Sequence, residues 1–290
     1  MTAYENGELD VLWPGGEGAF PALEADPVLS RELVTIPDAG MNYFNFNFNK
    51  EPFQDKKVRE AFAYAFDRDA YCEVLSYGDC TPALSMVPPG MPGAIETDAY
   101  AFDPVRARQA LAESSYGDPE NLPEITWYGF RDDPESHLES EWLAAQFRQV
   151  LGVELKVVYL SEEDHDALYD APAASPQFHM SGWYAGPDPR GWFVIWRCGT
   201  TFNDEGNCNP ALDELLDRAD AEMDPEQRLA LYEEAGHMLV DDAPAIFVSN
   251  VSTMWLVKPD VTGYTRVTGI NGDWPGWMNL MTVDVERPET

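Results

Sequence analysis

Positive charge is scarce in this chain. Its 290 residues carry 18 Lys and Arg against 52 Asp and Glu, a formal charge of -34. Nucleic acid and anionic membrane surfaces both attract positive charge, so neither suits it as a partner. The lysines are Lys50, Lys56, Lys57, Lys156 and Lys258, and the acid is spread along the chain instead of gathered in a tail. That distribution reads as a solvated surface tuned for solubility, in keeping with salty surroundings, or as a field that draws cationic ligands.

Long apolar runs are missing too. Nothing approaches the roughly 18 apolar residues of a membrane span, and no basic-then-apolar segment opens the chain as a secretory signal would. Taken alone, that describes a cytosolic protein. Enzyme signatures are equally sparse: His137, His165, His179 and His237 are scattered, none in an HExxH pattern. There is no Gly-x-Ser-x-Gly elbow. The GGEG at 15–18 lacks the following Gly-Lys-Ser/Thr of a phosphate loop and reads as a turn. Adjacent carboxylates such as Asp132-Asp133, Glu162-Glu163 and Asp241-Asp242 are expected by chance among 52 acids, so they do not argue for a glycosidase pair. The reading is not an enzyme, and it calls for no cofactor or metal.

Cysteine is limited to four residues, which fall as two local pairs, Cys72 with Cys80 and Cys198 with Cys208. The second pair brackets the loop GTTFNDEGN. Two short-range disulfides would suit an oxidising compartment. Zinc competes for the same thiols, but no CxxC and no nearby His-Cys cluster supports it.

What is present is the pattern of a folded α/β protein, with 44% hydrophobic and 12% aromatic residues. Between Glu51 and Tyr77 the apolar residues Val58, Ala61, Phe62, Ala65, Phe66, Tyr71, Val74 and Leu75 recur at helical spacing, with Asp55 as N-cap. Residues 41–48, MNYFNFNF, alternate aromatic and Asn. That predicts a strand with one buried face, its asparagines facing solvent or a cleft. A Pro-rich irregular stretch, 78–93, follows the helix. Asp103-Pro104 then opens a helix to Ser114. From Leu122 strand, helix and strand alternate: strand 122–130, helix 135–151, strand 153–160, an acidic helix after Ser161, and strand 177–184. Helices 209–221 and 224–240 and an apolar strand 245–251 complete the pattern.

Several of these stretches carry literal residue patterns. Tyr43 to Asn47, Pro52-Phe53, Asp55, Val58-Arg59, Ala61, Tyr64-Ala65 and Asp67-Arg68 form one set. Asn209, Asp213, Leu215-Leu216, Asp224, Arg228, Leu231-Tyr232, Leu239, Asp242, Pro244 and Ile246 form a second, in the same order. Together they resemble the family 5 extracellular solute-binding proteins, the peptide/nickel-type receptors of ABC importers. The resemblance runs over nearly the whole chain, to about Val283.

This resemblance implies a two-lobed α/β fold of the periplasmic-binding-protein type (class II), with this chain as its C-terminal portion and much of the N-terminal lobe outside it. Residues 1–41 would belong to lobe I, 42–180 to lobe II and 181–290 to the C-terminal part of lobe I. The function it implies is capture of a peptide or other small solute between the lobes and delivery to ABC permease subunits, in the periplasm or outside the cell. Membrane association would come through the permease or an N-terminal anchor. The ligand-binding residues expected are Gly182, Trp183, Tyr184, Asp188 and Trp192 at the predicted crossover, with Tyr43 and Asn45 from the alternating strand. The chain departs from the peptide-binding pattern next to Trp183. Gly186 stands where an Asp would hold the ligand's α-amino group, one residue is missing, and Asp188 is what survives. The alternative reading is a scaffold or sensor that keeps the lobe without a ligand.

Overall fold

The computed structural model describes residues 1–14, 20–76, 80–129, 132–161, 163, 176–203, 205–263, 267–269, 272–274 and 284–285. The GGEG turn and the acidic helix expected after Ser161 fall largely outside them. Strands β1 (Val11–Leu12), β2 (Leu33–Phe46), β3 (Thr81–Pro82), β4 (Ile125–Gly129), β5 (Leu155–Tyr159), β6 (Phe178–Tyr184) and β7 (Ala245–Val257) form one sheet. Its order is β1-β7-β2-β6-β4-β5, with β3 against β7. β4 runs parallel to β5 and β6, whereas β2 is antiparallel to both of its neighbours, β6 and β7. The described helices are α1 (Thr2–Glu5), α2 (Phe20–Ala25), α3 (Lys56–Ala65), α4 (Arg68–Leu75), α5 (Pro104–Glu113), α6 (Pro134–Leu151), α7 (Arg190–Phe193), α8 (Pro210–Ala221) and α9 (Pro225–Asp241).

Four of these helices start on an Asp-Pro or Asn-Pro dipeptide. Asp103-Pro104, Asp133-Pro134, Asn209-Pro210 and Asp224-Pro225 each put a side-chain acceptor at the N-cap and a proline at the first helical position. The cap satisfies amides that have no partner within the helix, and the proline has no amide to satisfy. At its other end α6 stops on Gly152, at φ 74°, whose amide donates to Arg148. That left-handed position is one glycine takes without strain.

The period-two pattern of β2 builds the core. Phe44 meets Phe66, Tyr71, Trp127 and Phe178, and Phe46 stacks on Phe53 and Phe178. Phe62 and Phe147 close the cluster from α3 and α6. These phenylalanines are fully buried, each a gain of roughly 1.5–3 kcal/mol. Tyr43 points to the other face, where Trp196 packs at 5.6 Å between ring centres.

The expected single helix at 51–77 is two helices. Phe66 is extended between them, and Asp67 restarts the helix by accepting from the amide of Ala70. The break lets Phe66 enter the aromatic cluster and turns Arg68 inward. The guanidinium of Arg68 donates to the carbonyls of Phe66, Ala83, Tyr100 and Phe247.

β7 also runs further than the sequence pattern predicts, to Val257. It pairs with β2 over Leu33–Pro37 and Met41–Asn45, with register shifts between Pro37 and Met41 and between Asn42 and Tyr43. A large core extends from Met41 to Val248, and a small one gathers Tyr4, Leu23, Met254 and Leu256. The long β2/β7 ladder therefore serves both cores, and one of its two register shifts lies between them.

Trp192, Leu216 and Tyr232 share one buried cluster with Phe44 and Phe178, because the apolar faces of α8 and α9 close over the same sheet. Both cysteine pairs are disulfides, with Cα separations of 5.3 Å for Cys72–Cys80 and 4.6 Å for Cys198–Cys208.

Candidate ligand-binding strand

Parallel strands leave their carboxyl ends at one edge of a sheet, and in open α/β folds ligands bind outside those ends. β6 is the strand that reaches furthest there. It pairs with β2 in unbroken register from Phe46↔Phe178 to Gly40↔Tyr184. Among the described pairs, β4 meets it at Trp127↔Phe178. The segment Ser181–Trp183 therefore runs on beyond the described parallel pairing, and Gly182 and Tyr184 at its end are exposed.

Trp183 is half-buried. Its indole Nε1 donates to the carbonyl of Gly191 at 2.8 Å, and its ring meets Phe202 edge to face at 5.4 Å. The ring of Tyr184 lies over Gly40: a Cβ at position 40 would stand 2.5 Å from its Cε1. Gly182 faces Asn42 across the ladder.

The other expected site residues lie elsewhere. Trp192 is completely buried, and its Nε1 donates to the carbonyl of Gly186. It fixes the Gly186-Pro187-Asp188-Pro189 turn from beneath and offers no ligand surface. Tyr43 is buried between Trp196 and β6. Its hydroxyl accepts from Ser181 Oγ at 3.3 Å, and burial pushes its pKa up to about 12. Asn45 is buried opposite His179, so of the two environments open to the β2 asparagines it occupies neither solvent nor an open cleft.

Asp188 is exposed but engaged. Arg228 of α9 donates to its carboxylate at 2.8 Å, and so does the amide of Arg190 at 3.0 Å. Partial burial raises its pKa, and these two donors outweigh that, leaving it below the ordinary value. The same corner holds Arg197 on Asp217 and Asp220, and Tyr232 donates to Asp220. A carboxylate already matched by a guanidinium is a poor anchor for a ligand amine.

Two side chains that sequence reasoning passed over lie in this region. Phe202 is 56% exposed and comes from the Cys198–Cys208 loop. Glu205, from the same loop, has Oε1 3.4 Å from Nε2 of the buried His179, and its carbonyl accepts from the amide of Phe48. The signal for both was the disulfide bracket, which read as a loop device. Concavities of about 460 Å³, lined by Lys50, Thr126 and Gln177, and about 510 Å³, lined by Arg218, Gln227 and Leu231, lie away from these residues. Among the described residues there is no group of His, Cys, Asp and Glu that would hold a metal ion.

Residues 1–205 match the family model described as bacterial extracellular solute-binding proteins, family 5 middle. The chain belongs to that family. The family 5 dipeptide-binding protein DppE of Bacillus subtilis is 29% identical over 275 residues, covering 91% of this chain and 49% of that protein. The dipeptide-binding protein of Escherichia coli is 27% identical over 248 residues, covering 81% and 45%. The unliganded open form of the periplasmic murein tripeptide-binding protein MppA superposes with a TM-score of 0.84 at 21% identity, over 98% of this chain and 54% of that one. The fold is that of the two-lobed binding proteins, and the chain spans about half the length of the family 5 relatives it matches.

Proposed function

We propose that this chain is the ligand-gripping portion of the substrate-binding component of an ABC importer. It takes a peptide or similar small solute along β6 and hands it to permease subunits in the periplasm or outside the cell. The observation that carries this reading is the exposed end of β6, Ser181 to Tyr184, beyond the described pairing with β4 and bearing Trp183 and Tyr184 on opposite sides. An extended ligand alongside Ser181–Trp183 adds a strand, its backbone supplying affinity and alternate side chains meeting pockets. The family relatives named for dipeptides and murein tripeptide support the substrate class.

The β2/β7 ladder supplies the motion. A register shift between two separate cores is a place where one can turn against the other without either repacking. Ligand contacts made with both lobes only when closed shift the population to that form. Because Arg228 neutralises Asp188, the ligand is gripped by backbone pairing and aromatic contact instead of by its amine.

A thermal-shift screen of the chain against di- and tripeptides, oligosaccharides and nickel chelates tests this. A ligand that binds only the native state raises the melting temperature by mass action. Peptides are expected to do so, N-acetylated ones as well as free ones. A shift with sugars or chelates alone would change the solute class. Silence across all three would favour a scaffold that keeps the lobe without a ligand.

A further inference from the structure

An exposed phenylalanine on a Gly/Asn-rich loop has many conformations open to it, yet Phe202 is held in one place. Its loop is closed at the base by Cys198–Cys208. Asn203 Nδ2 donates to the carbonyls of Arg197 and Asn207, and Thr200 Oγ1 donates to that of Val194. The carbonyl of Glu205 is tied to the amide of Phe48, and a Cβ at Gly206 would collide with Asn49. Trp183 is fixed from its own side by Gly191. The two rings meet at 63° with centres 5.4 Å apart, and 56% of Phe202 is left to solvent. Fixing a large apolar side chain without burying it forgoes stability, since the same loop would gain by turning the ring inward.

We infer that Phe202 is a specificity residue, presented by the disulfide-closed loop so that it and Trp183 form a two-ring corner for an apolar side chain of the ligand. The inference rests on the reading of β6 as the binding strand and adds to it the chemistry of one position. The corner is rigid on both sides, so little ordering is needed when a flat or branched apolar group enters. Rings inclined to each other also suit a third ring, which meets one by its face and the other by its edge. Asp188 with Arg228 and Arg197 with Asp217 and Asp220 are paired among themselves.

Calorimetric titration of the full chain with Ala-Phe-Ala and with Ala-Ala-Ala tests the inference. The wild-type chain should prefer Ala-Phe-Ala by about tenfold, as expected for burying one aromatic side chain in part. Phe202→Ala should bring the two peptides within about twofold by weakening Ala-Phe-Ala alone, and Phe202→Leu should keep part of the preference. Cys198→Ser/Cys208→Ser, which keeps the ring and frees its loop, should lose most of it. Equal weakening of both peptides by Phe202→Ala would make the residue a structural cover and overturn the inference. So would a preference that survives that change, or a wild-type chain that binds both peptides equally. Failure of the wild-type chain to bind either peptide would remove the inference together with the peptide reading.

Discussion

Arg68 Nε lies 2.6 Å from the carbonyl oxygen of Phe247, joining the start of α4 to the first part of β7. Arg59, the other arginine of the same segment, makes a matching set of bonds. It donates to the carbonyls of Phe53, Gln54, Asp242 and Ala243 and lies 4.0 Å over the ring of Phe48. Tyr100 and Ala243, whose carbonyls accept from these arginines, have φ of 57° and 48°. L residues disfavour that region, so a strong donor at each is part of what holds the turn. The two arginines of the stretch that most clearly marks the family thus brace the sheet.

Arg68→Lys should therefore lower stability by about 2–4 kcal/mol, because an ammonium cannot reach the same spread of carbonyls and leaves buried acceptors unpaired. Urea unfolding followed by circular dichroism measures it. A change below about 0.5 kcal/mol would mean the carbonyls find water, contrary to the burial of Arg68.

Asp55 caps α3 through the amide of Lys57 at 2.8 Å and also accepts from the amide of Ser115 at 2.7 Å, so it ties two helical segments. Burial raises its pKa, and the bonds from Ser115 and Lys57 with the charge of Arg59 outweigh that, leaving it lowered. A carboxylate depressed in the folded state stabilises fully above its unfolded pKa of about 3.9. That contribution is lost as pH falls through the folded value. Asp55→Ala should cost about 1–2 kcal/mol at pH 7. Asp55→Asn, which keeps an N-cap, should cost less and flatten the fall in melting temperature between roughly pH 4 and 2. An acid limb as steep as that of the wild type would rule the carboxylate out as its source.

The disulfides close loops with sequence separations of 8 and 10, each worth about 2–3 kcal/mol by loop entropy. Reduction should lower the melting temperature of the chain. Cys72→Ala/Cys80→Ala should lower it as well, while leaving the fluorescence of Trp183 beside Phe202 unaltered. Cys198→Ala/Cys208→Ala should change both. A fluorescence response to the first pair and not the second would show that the loop does not hold the aromatic corner.

Local chemistry made much of this fold legible. The Asp103-Pro104 helix start, the alternation of 41–48 and the short cysteine spacings each act within a few residues, and each appears in the structure. Features decided at long range were not legible. The break at Phe66 depends on carbonyls at Ala83, Tyr100 and Phe247, and the reach of β7 to Val257 depends on a second core with Tyr4 and Leu23. The site divides in the same way. The family resemblance pointed to Trp183 and Tyr184, which stand at the end of β6. For Trp192, nothing in GPDPRGW shows that its indole turns under the preceding carbonyl of Gly186. Asp188 looked free because its partner, Arg228, stands 40 residues away.

Gly40 offers the sharpest separation of binding from stability. The ring of Tyr184 occupies the space a side chain would take at that position, with Cε1 2.5 Å from a built Cβ. Tyr184 is 56% exposed, so its ring can swing outward without opening the core. Gly40→Ala should leave the melting temperature within about 2 °C of the wild type, as for a change of no more than about 0.5 kcal/mol in a protein of this size. Yet it should displace the one large side chain on that side of the strand's end, and peptide affinity should fall by about three- to tenfold if Tyr184 contacts the ligand. Tyr184→Ala should reproduce the loss, and the double variant should be no worse than either single one, because both act through the same ring. Additive losses would mean Gly40 matters for the ladder itself. Unchanged affinity in both single variants would take Tyr184 out of the site and leave Trp183 and its neighbours on the opposite face to carry it.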